Sequence, residues 1–315
     1  MEVDQVKHWT ALRKIEVVLR LLRGESLDAL RCTTVGKLSK RINLTMRCRV
    51  FLLIILLFGA FFLPRISKAA PSETISYQAL SGETMDIPMK PIGLLGGTGW
   101  SSTIGYYTLL NQLMHERLGG RHSAKILLKS IDYHYLWSSY DNDQKASQLL
   151  QEEITDLIAL RPDCIIICCN TLHKYYDMIK DQLNSSIPVM HAVDLVAQHA
   201  KNQGYKKVLL LATKFTMEDG FFAKKLENAE IDVVIPNQEE RNILKDIHGQ
   251  LMINNVTPEA REYCRMLILR HNDLDAVILG CTEYPLVVDE TNSVLPIIDP
   301  VRLQTSSAVN YALSK

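Results

Sequence analysis

From Pro91 onward, short apolar runs alternate with longer stretches of helical spacing, and this alternation constrains the fold more than any other feature. The runs are almost unbroken Val, Ile and Leu, as in strands that are buried on both faces. Such strands, separated by helices, predict an α/β architecture with parallel sheets. We expect strands at 92–95, 126–130, 164–169, 208–213, 233–236 and 276–280, and helices at 103–118 and 146–160.

The two halves of this region resemble each other. "PDCIIICCNT" (162–171) is echoed by "LDAVILGCTE" (274–283), and "GLLGGTG" (93–99) by "LLLATKFT" (209–216). Two copies of one αβ unit predict two similar lobes related by pseudo-two-fold symmetry, each a mostly parallel sheet flanked by helices. In open α/β sheets the ligand lies beyond the carboxyl ends of the strands. We therefore expect the functional site in the cleft between the lobes.

Charge divides the chain into a basic head and an acidic body. Residues 1–70 carry 13 Lys/Arg against 5 Asp/Glu, and residues 71–315 carry 22 against 30. A basic head of this kind indicates targeting, and the body has no basic stripe interleaved with aromatic residues, so we expect no nucleic-acid partner. We divide the chain into an N-terminal extension (1–70), a linker (71–90), a first lobe (91–192 plus 300–315) and a second lobe (193–299).

The apolar run "VFLLIILLFGAFFL" (50–63) has 14 residues. A membrane-spanning helix needs about 20, whereas this length is typical of the apolar region of a signal peptide. If translation starts at Met46, the run predicts a cleaved export signal; if it starts at Met1, an uncleaved membrane anchor. We expect an exported (periplasmic or extracellular) or anchored protein rather than a cytoplasmic one, with membrane contact only through 50–63.

The cysteine and glycine patterns argue against several classes of site. There are seven cysteines, an odd number, and three crowd into one predicted strand, so no disulfide framework is indicated. The sequence has no C-x-x-C motif paired with a second one or with a pair of histidines, so it does not predict a zinc site. The turn "GLLGGTG" does not match G-x-G-x-x-G, and there is no P-loop. We therefore expect neither a metal nor a cofactor.

Cys168 and Cys169 are adjacent at the end of one predicted strand, and Cys281 ends the matching strand of the second half. Neighbouring side chains of a strand point to opposite faces, so at most one of Cys168 and Cys169 fills the core. Helix starts predicted at Thr171 and Thr282 would lower the pKa of a nearby thiol and bind carboxylates. One thiol from each lobe suits proton removal from a carbon α to a carboxylate, with a proton returned to its other face.

Four motifs, in order, resemble the aspartate/glutamate racemase family, the cofactor-independent amino-acid racemases, over about residues 91–313. They are "IGLLGGTGWSSTIGYY" (92–107), "CNTLH" (169–173), "LLATKFTMEDGFF" (210–222) and "LGCTEYPLVV" (279–288). The resemblance implies a pyridoxal-phosphate-independent amino-acid racemase, an isomerase acting on aspartate, glutamate or a broader set of amino acids. It also implies a homodimer, since family members are often dimers.

The resemblance also implies roles for individual residues. Cys169 and Cys281 are the catalytic pair, which leaves Cys168 turned into the sheet. Asn170, Thr171 and Thr282 bind the carboxylate and amino groups of the substrate, and the turn containing Gly97 and Thr98 contributes backbone contacts. Thr98 stands where the family usually has Met, and Lys214 is a candidate for recognising a side-chain carboxylate only through its place in the motif.

Two further residues follow the thiols closely: His173 and Glu283. Two interpretations are open for each of them. The residue orients a thiol or tunes its proton affinity, or it is an ordinary hydrogen-bonded residue in the first turn of a helix. For Trp100, Tyr106 and Tyr107 we expect packing. Two other functions remain open: an exported two-lobe amino-acid-binding protein, which would not require paired thiols, and a diacid decarboxylase or isomerase of the same superfamily.

Overall fold

The computed structural model describes residues 88–314. The N-terminal extension lies outside these residues, and with it the apolar run 50–63 and both candidate first residues, Met1 and Met46. Most of the predicted linker lies outside them as well. No helix within 88–314 is both long enough and apolar enough to cross a membrane.

The first sheet has three parallel strands, β1 (Ile92–Gly96), β2 (Ile126–Ser130) and β3 (Cys164–Ile167), in the order β2-β1-β3. β1 and β3 are buried along their whole length, which explains their unbroken apolar sequences. Ile92 pairs with both Ile126 and Cys164, so the three parallel strands are aligned and their carboxyl ends lie at one edge of the sheet.

The second sheet has four parallel strands, β4 (Lys207–Leu211), β5 (Asp232–Val234), β6 (Ala276–Leu279) and β7 (Ile297–Ile298), in the order β5-β4-β6-β7. Its first three strands repeat the order of the first sheet, with the first strand in the centre and the third beside it. β3 and β6 therefore occupy matching positions, as the echoed sequences predict. The two-residue β7 was not predicted; its counterpart in the first sheet is a single parallel bridge between Val189 and Ile165 of β3.

Ten α-helices accompany these strands within residues 88–314, together with 3₁₀ turns at Lys180–Gln182 and Tyr284–Leu286. The α-helices are α1 (Trp100–Leu118), α2 (Tyr133–Trp137), α3 (Asp143–Ala159), α4 (Leu172–Ile179), α5 (Ala192–Gln203), α6 (Lys214–Asp219), α7 (Phe221–Glu227), α8 (Gln238–Met252), α9 (Pro258–Arg270) and α10 (Pro300–Ala312). Helix α10 returns to the first sheet and packs against α1, α5 and β3.

Two sequence expectations fail at the strand ends. Strand β3 ends at Ile167, before both cysteines, because the chain turns at Cys168. The α-helix start predicted at Thr282 is wrong: only a 3₁₀ turn follows, at Tyr284–Leu286. The segment after Thr282 makes only this three-residue turn, whereas Thr171 precedes the eight-residue α4.

The aromatic residues of α1 separate into two environments. Tyr106 is fully buried and donates a 2.6 Å hydrogen bond to Gln304 on α10. The expectation of packing is wrong for Trp100 and Tyr107, which are 63% and 53% exposed. With Ile104, they are spaced four and three residues apart and therefore share one exposed face of α1.

Candidate active site

Cys168 and Cys169 lie in different environments. The backbone N–H of Cys168 still donates to Leu95 of β1, and its side chain is fully buried in the core beside Leu94 and Tyr106. Cys169, the next residue, is only partly buried and lies on the other side, against the cluster that contains Leu95. The alternation of a strand therefore continues through the turn, and Cys169 is the thiol available at this edge.

The Cys169 thiol faces hydrogen-bond donors. Burial, with a smaller contribution from the Glu283 charge, raises its pKa, and the backbone N–H groups of Leu172 and Thr171 and the Tyr133 hydroxyl oppose that rise without cancelling it. Thr171 is the N-cap of α4 and makes no side-chain cap, so the first turn of the helix leaves N–H groups available. The predicted lowering of this pKa is wrong in its net direction, because loss of water outweighs the donors.

The Cys281 thiol faces an acceptor instead. It lies 2.9 Å from Glu283 Oε2 and donates a hydrogen bond to it, and the Thr282 hydroxyl donates to the same oxygen, also at 2.9 Å. Burial, and then the Glu283 charge, hold the pKa of Cys281 well above its usual range. The predicted lowering is therefore wrong here too, and more strongly than at Cys169, because a carboxylate takes the place of a helix start.

Glu283 is itself 3% exposed. Burial alone would raise the pKa of this carboxyl, but the nearby His248 imidazole, the Cys281 thiol and the Thr282 hydroxyl together bring it below its usual range. The Nε2 atom of His248 lies 3.8 Å from Glu283 Oε2. Glu283 also contacts the glycine turn of the other half, since a Cβ on Gly99 would lie 2.7 Å from Glu283 Oε1.

The glycine turn between β1 and α1 is constrained by its backbone. Gly97 has φ +92°, and a Cβ there would lie 2.3 Å from the Ile131 carbonyl oxygen, so only glycine fits. The hydroxyl of Thr98 donates to the Cys168 carbonyl at 3.1 Å. Thr98, the departure from the family pattern, thereby ties the turn to the segment that carries the thiols.

Within residues 88–314, Asn170 is one of four residues with buried side-chain polar atoms that have no partner, beside Ser101, Tyr175 and Tyr263. The Asn170 side chain is 3% exposed, and neither its amide nitrogen nor its amide oxygen has a hydrogen-bond partner within residues 88–314. Buried polar atoms left without a partner are costly, by about 1–3 kcal/mol each. An amide in this position, one residue from Cys169, is suited to bind a ligand.

The threonines predicted to bind substrate have protein partners. The Thr171 hydroxyl lies 2.8 Å from that of Thr216, which follows β4, and so links the two halves. The Thr282 hydroxyl donates a hydrogen bond to the Glu283 carboxylate. Lys214 lies 3.0 Å from Asn242 and 3.9 Å from Glu218, so its ammonium is also engaged.

His173 lies behind Cys169. Its Nδ1 is 3.0 Å from the Cys169 carbonyl oxygen, while its Nε2 accepts a 3.1 Å hydrogen bond from the Ala192 N–H. Since Nε2 is an acceptor, the network assigns the proton of the neutral ring to Nδ1. Burial, followed by the neighbouring His191 ring, holds the pKa of His173 well below its usual range.

Sequence reasoning missed two residues of the site, Tyr133 and His248. Tyr133 lies three residues beyond β2, and the rule that sites gather at the carboxyl ends of strands could have found it. Its hydroxyl is hydrogen-bonded to Tyr140 as well as facing Cys169. His248 lies within α8, and no local pattern marks it.

One group within residues 88–314 has the donor atoms to hold a metal ion. His248, Cys281 and Glu283 offer one nitrogen, one sulfur and one oxygen, all within 4.8 Å of one another. These are the donors that Zn²⁺ prefers. Each of these atoms already has a protein neighbour, so the absence of a metal cofactor stays a prediction from the sequence.

The fold and site define a two-sheet α/β protein with a thiol after a matching strand of each sheet. Residues 95–308 match the model of the Asp/Glu/hydantoin racemase family. The chain belongs to this family.

Solved structures show the same fold. A candidate Asp/Glu racemase from Yersinia pestis is 35% identical with a TM-score of 0.65, and an aspartate racemase homologue from Pyrococcus horikoshii is 28% identical with a TM-score of 0.64. Each match covers 72% of this chain and all of the other.

Among curated proteins, a glutamate racemase from Actinobacillus pleuropneumoniae is 27% identical over 143 residues, which are 44% of this chain. The chain spans about half, 53%, of the length of that relative.

Proposed function

We propose that this protein is a pyridoxal-phosphate-independent amino-acid racemase in which Cys169 and Cys281 transfer protons at the α-carbon. The observation that carries the proposal is the placement of these two thiols, one after β3 and one after β6, at matching positions of the two sheets. Membership of the racemase family supports it.

Binding of an α-carboxylate follows from the surroundings of Cys169. The unpartnered amide of Asn170 and the N–H groups at the start of α4 supply donors for an anion. Gly97 brings the backbone of the first turn close to the same edge. We place the carboxylate and amino groups of the substrate against Asn170, Thr171 and Thr282, with the α-carbon between the thiols.

The reaction needs one thiolate and one thiol. The thiolate removes the α-proton and becomes a thiol, while the opposing thiol gives its proton to the other face of the carbanion. Proton transfer by positioned groups contributes about 10²–10⁴-fold to a rate. No cofactor enters this scheme, because both protons are carried by sulfur.

The substrate is proposed as aspartate, glutamate or a broader set of amino acids. The names of the relatives divide between aspartate and glutamate. The full chain should be incubated with single L- and D-amino acids in D₂O, and the products analysed by chiral chromatography and mass spectrometry. Racemisation with deuterium at the α position is expected; bound but unchanged amino acid would favour a binding protein, and loss of CO₂ a decarboxylase.

The catalytic pair is tested by Cys169→Ser and Cys281→Ser. Each should abolish racemisation, because the serine hydroxyl is a far weaker acid than a thiol. Cys164→Ala is the matched control: Cys164 is in the same segment but fully buried in β3, and burial raises its pKa to about 12. If either serine variant retained most of the activity, that result would contradict the two-thiol assignment.

We propose that residues 50–63 direct export or anchor the protein in a membrane. The support is the length of the apolar run and the basic excess before it. Cells producing the full chain should be fractionated, with protease added to intact spheroplasts. A body that is protected from protease and recovered with the cytoplasm would contradict the proposal.

We also propose a homodimer that covers the exposed stripe Trp100, Ile104 and Tyr107 on α1. Exposed apolar patches mark interaction sites. Light scattering after gel filtration should show a dimer for the wild-type chain and a monomer for Ile104→Glu. The control is Ile253→Glu, at an apolar side chain that is 75% exposed elsewhere. An unchanged mass of Ile104→Glu would contradict this interface.

A further inference from the structure

The two thiols have unlike partners, and this difference has consequences if the protein is the racemase proposed above. Cys169 faces donors, two backbone N–H groups and the Tyr133 hydroxyl, and the Glu283 carboxylate acts on it only through its charge, without a hydrogen bond. Cys281 faces an acceptor, the Glu283 carboxylate, at 2.9 Å. Donors stabilise a thiolate, whereas a carboxylate stabilises the S–H form and repels the thiolate.

The Glu283 carboxylate is held in its ionised form. Oε2 accepts hydrogen bonds from both Cys281 and Thr282, and His248 of α8 lies 3.8 Å away. Glu283 is buried, so this support is needed to keep a charge there. A ring nitrogen of His248 lies within 4.8 Å of Cys281 Sγ as well, but its nearer contact is with the carboxylate, so we assign it to the support of Glu283.

The other titratable groups around the two thiols do not change this asymmetry. They are Cys168, Tyr106, Tyr140, Tyr175 and Tyr284, and burial raises the pKa of each. All five therefore remain neutral around neutral pH. Behind Cys169, His173 is neutral as well, since its pKa is lowered.

We propose that the resting enzyme carries its transferable proton on Cys281, where Glu283 holds it with the support of His248, and that Cys169 ionises first and acts as the first base. Glu283 then hydrogen-bonds only one of the two thiols, and Glu283 and His248 are positioning residues for Cys281. The racemase would be asymmetric although its two thiols follow matching strands.

The proton balance shows what this asymmetry does. The Cα–H bond breaks, its electron pair stays on Cα, and the proton joins the Cys169 thiolate. Cys281 gives its proton to the opposite face, which leaves a thiolate beside the Glu283 carboxylate. That like-charge pair is unfavourable, so Cys281 takes a proton from water and Cys169 releases one before the next turnover. The enantiomer whose Cα–H faces Cys169 is thus the one that the resting form accepts.

Thiol alkylation tests the proposal without any substrate. The reduced full chain is pulsed with iodoacetamide at a series of pH values, and peptide mass spectrometry follows each cysteine separately. The midpoint pH is compared rather than the rate, because Cys169 is more accessible than Cys281. The midpoint of Cys169 is expected below that of Cys281 in the wild-type chain; the same or the reverse order would overturn the proposal.

Glu283→Gln removes the charge while keeping the shape. The Cys281 midpoint is expected to fall by about one pH unit, which is a tenfold higher thiolate fraction at a fixed lower pH. The Cys169 midpoint should move less. The control is His115→Gln on an exposed face of α1, which should leave both midpoints unchanged. An unchanged Cys281 midpoint in Glu283→Gln would overturn the role of Glu283.

His248→Gln tests the supporting residue through the pH profile of kcat/KM. Without the imidazole, Glu283 takes up a proton at higher pH, so the acid limb is expected to move to higher pH. A uniform loss of activity with an unmoved limb would overturn the role of His248. If the wild-type chain proves inactive toward amino acids while the alkylation order holds, the proposed function fails and the thiol asymmetry stands.

Discussion

The Nδ1 atom of His173 lies 3.0 Å from the carbonyl oxygen of Cys169, four residues earlier in the chain. The same ring accepts the N–H of Ala192, the first residue of α5. A neutral imidazole therefore holds the turn that carries Cys169 against a neighbouring helix. A protonated imidazole could not accept from Ala192, so acid breaks this contact.

His173 should make stability depend on pH. In the unfolded chain its pKa is about 6.5, whereas in the folded chain it is well below that, so the unfolded state binds more protons in acid. The contribution of neutral His173 is therefore present above about pH 6.5 and is lost as the pH falls below it. His173→Gln should flatten the dependence of Tm on pH between about 7 and 5.

Thermal unfolding at several pH values checks this prediction. His122→Gln, at an exposed histidine before β2, is the control and should keep the wild-type slope. If the His173→Gln variant kept the wild-type slope of Tm against pH, His173 would not be the group that titrates on unfolding.

Gly99→Ala should reduce activity by displacing Glu283. The added Cβ would lie 2.7 Å from Glu283 Oε1 and 3.0 Å from Ser102 Oγ, closer than such contacts allow. We expect a decrease in kcat that is larger than any change in KM, because the displaced carboxylate orients Cys281. Steady-state kinetics measure both.

Gly105→Ala is the matched control for Gly99→Ala. Gly105 lies inside α1, and nothing lies within 4 Å of a Cβ added there. Alanine favours a helix interior over glycine by about 1 kcal/mol, so this variant should keep its activity and become slightly more stable. Wild-type kcat in Gly99→Ala would show that the contact with Glu283 does not matter for turnover.

Lys174→Met should destabilise the link between the two halves. Lys174 lies 2.7 Å from Asp219 of α6 and 2.8 Å from Asp143 of α3, and its side chain is 15% exposed. Its loss leaves two carboxylates close together without a cation. We expect a decrease of about 1–2 kcal/mol in the free energy of unfolding, between the values for exposed and buried pairs.

Urea unfolding measures the effect of Lys174→Met. Lys180→Met is the control, because Lys180 is 46% exposed and pairs with one residue of its own helix turn, Asp177. That variant should lose about 0.5 kcal/mol or less. Equal losses in the two variants would mean that the bridge between the halves adds nothing beyond an ordinary surface pair.

Mild oxidation should inactivate the enzyme reversibly. Cys169 is partly exposed, and the thiolate is the form that peroxide attacks. Because burial raises the pKa of Cys169, inactivation should be faster at higher pH. A reductant should restore activity if oxidation stops at the sulfenic acid or a disulfide.

Peptide mass spectrometry should find the oxidation at Cys169. Cys264 is the internal reference: it is fully buried, burial raises its pKa to about 12, and it should stay reduced. Inactivation with Cys169 still reduced would place the sensitive group elsewhere.

Much of the site could be predicted from sequence because it depends on local periodicity. Continuous apolar runs mark buried strands, and chain direction puts Cys169 and Cys281 beyond the ends of β3 and β6. The alternation of a strand separates Cys168 from Cys169. The glycine at position 97 likewise reflects a local constraint, a positive φ beside the Ile131 backbone.

The tertiary structure decided the proton affinities and the hydrogen-bond partners of the two thiols. A helix start next to Cys169 argues for a lowered pKa, yet burial by surrounding elements raises it. His248 reaches Glu283 from α8, 35 residues away in sequence, and Tyr133 reaches Cys169 from the end of β2. Proton affinity and side-chain exposure depend on all the groups that fold around a residue, whereas strand and turn patterns depend on its neighbours in the chain. For that reason the sequence determined where the two thiols lie, and only the folded structure decided that one faces donors and the other a carboxylate.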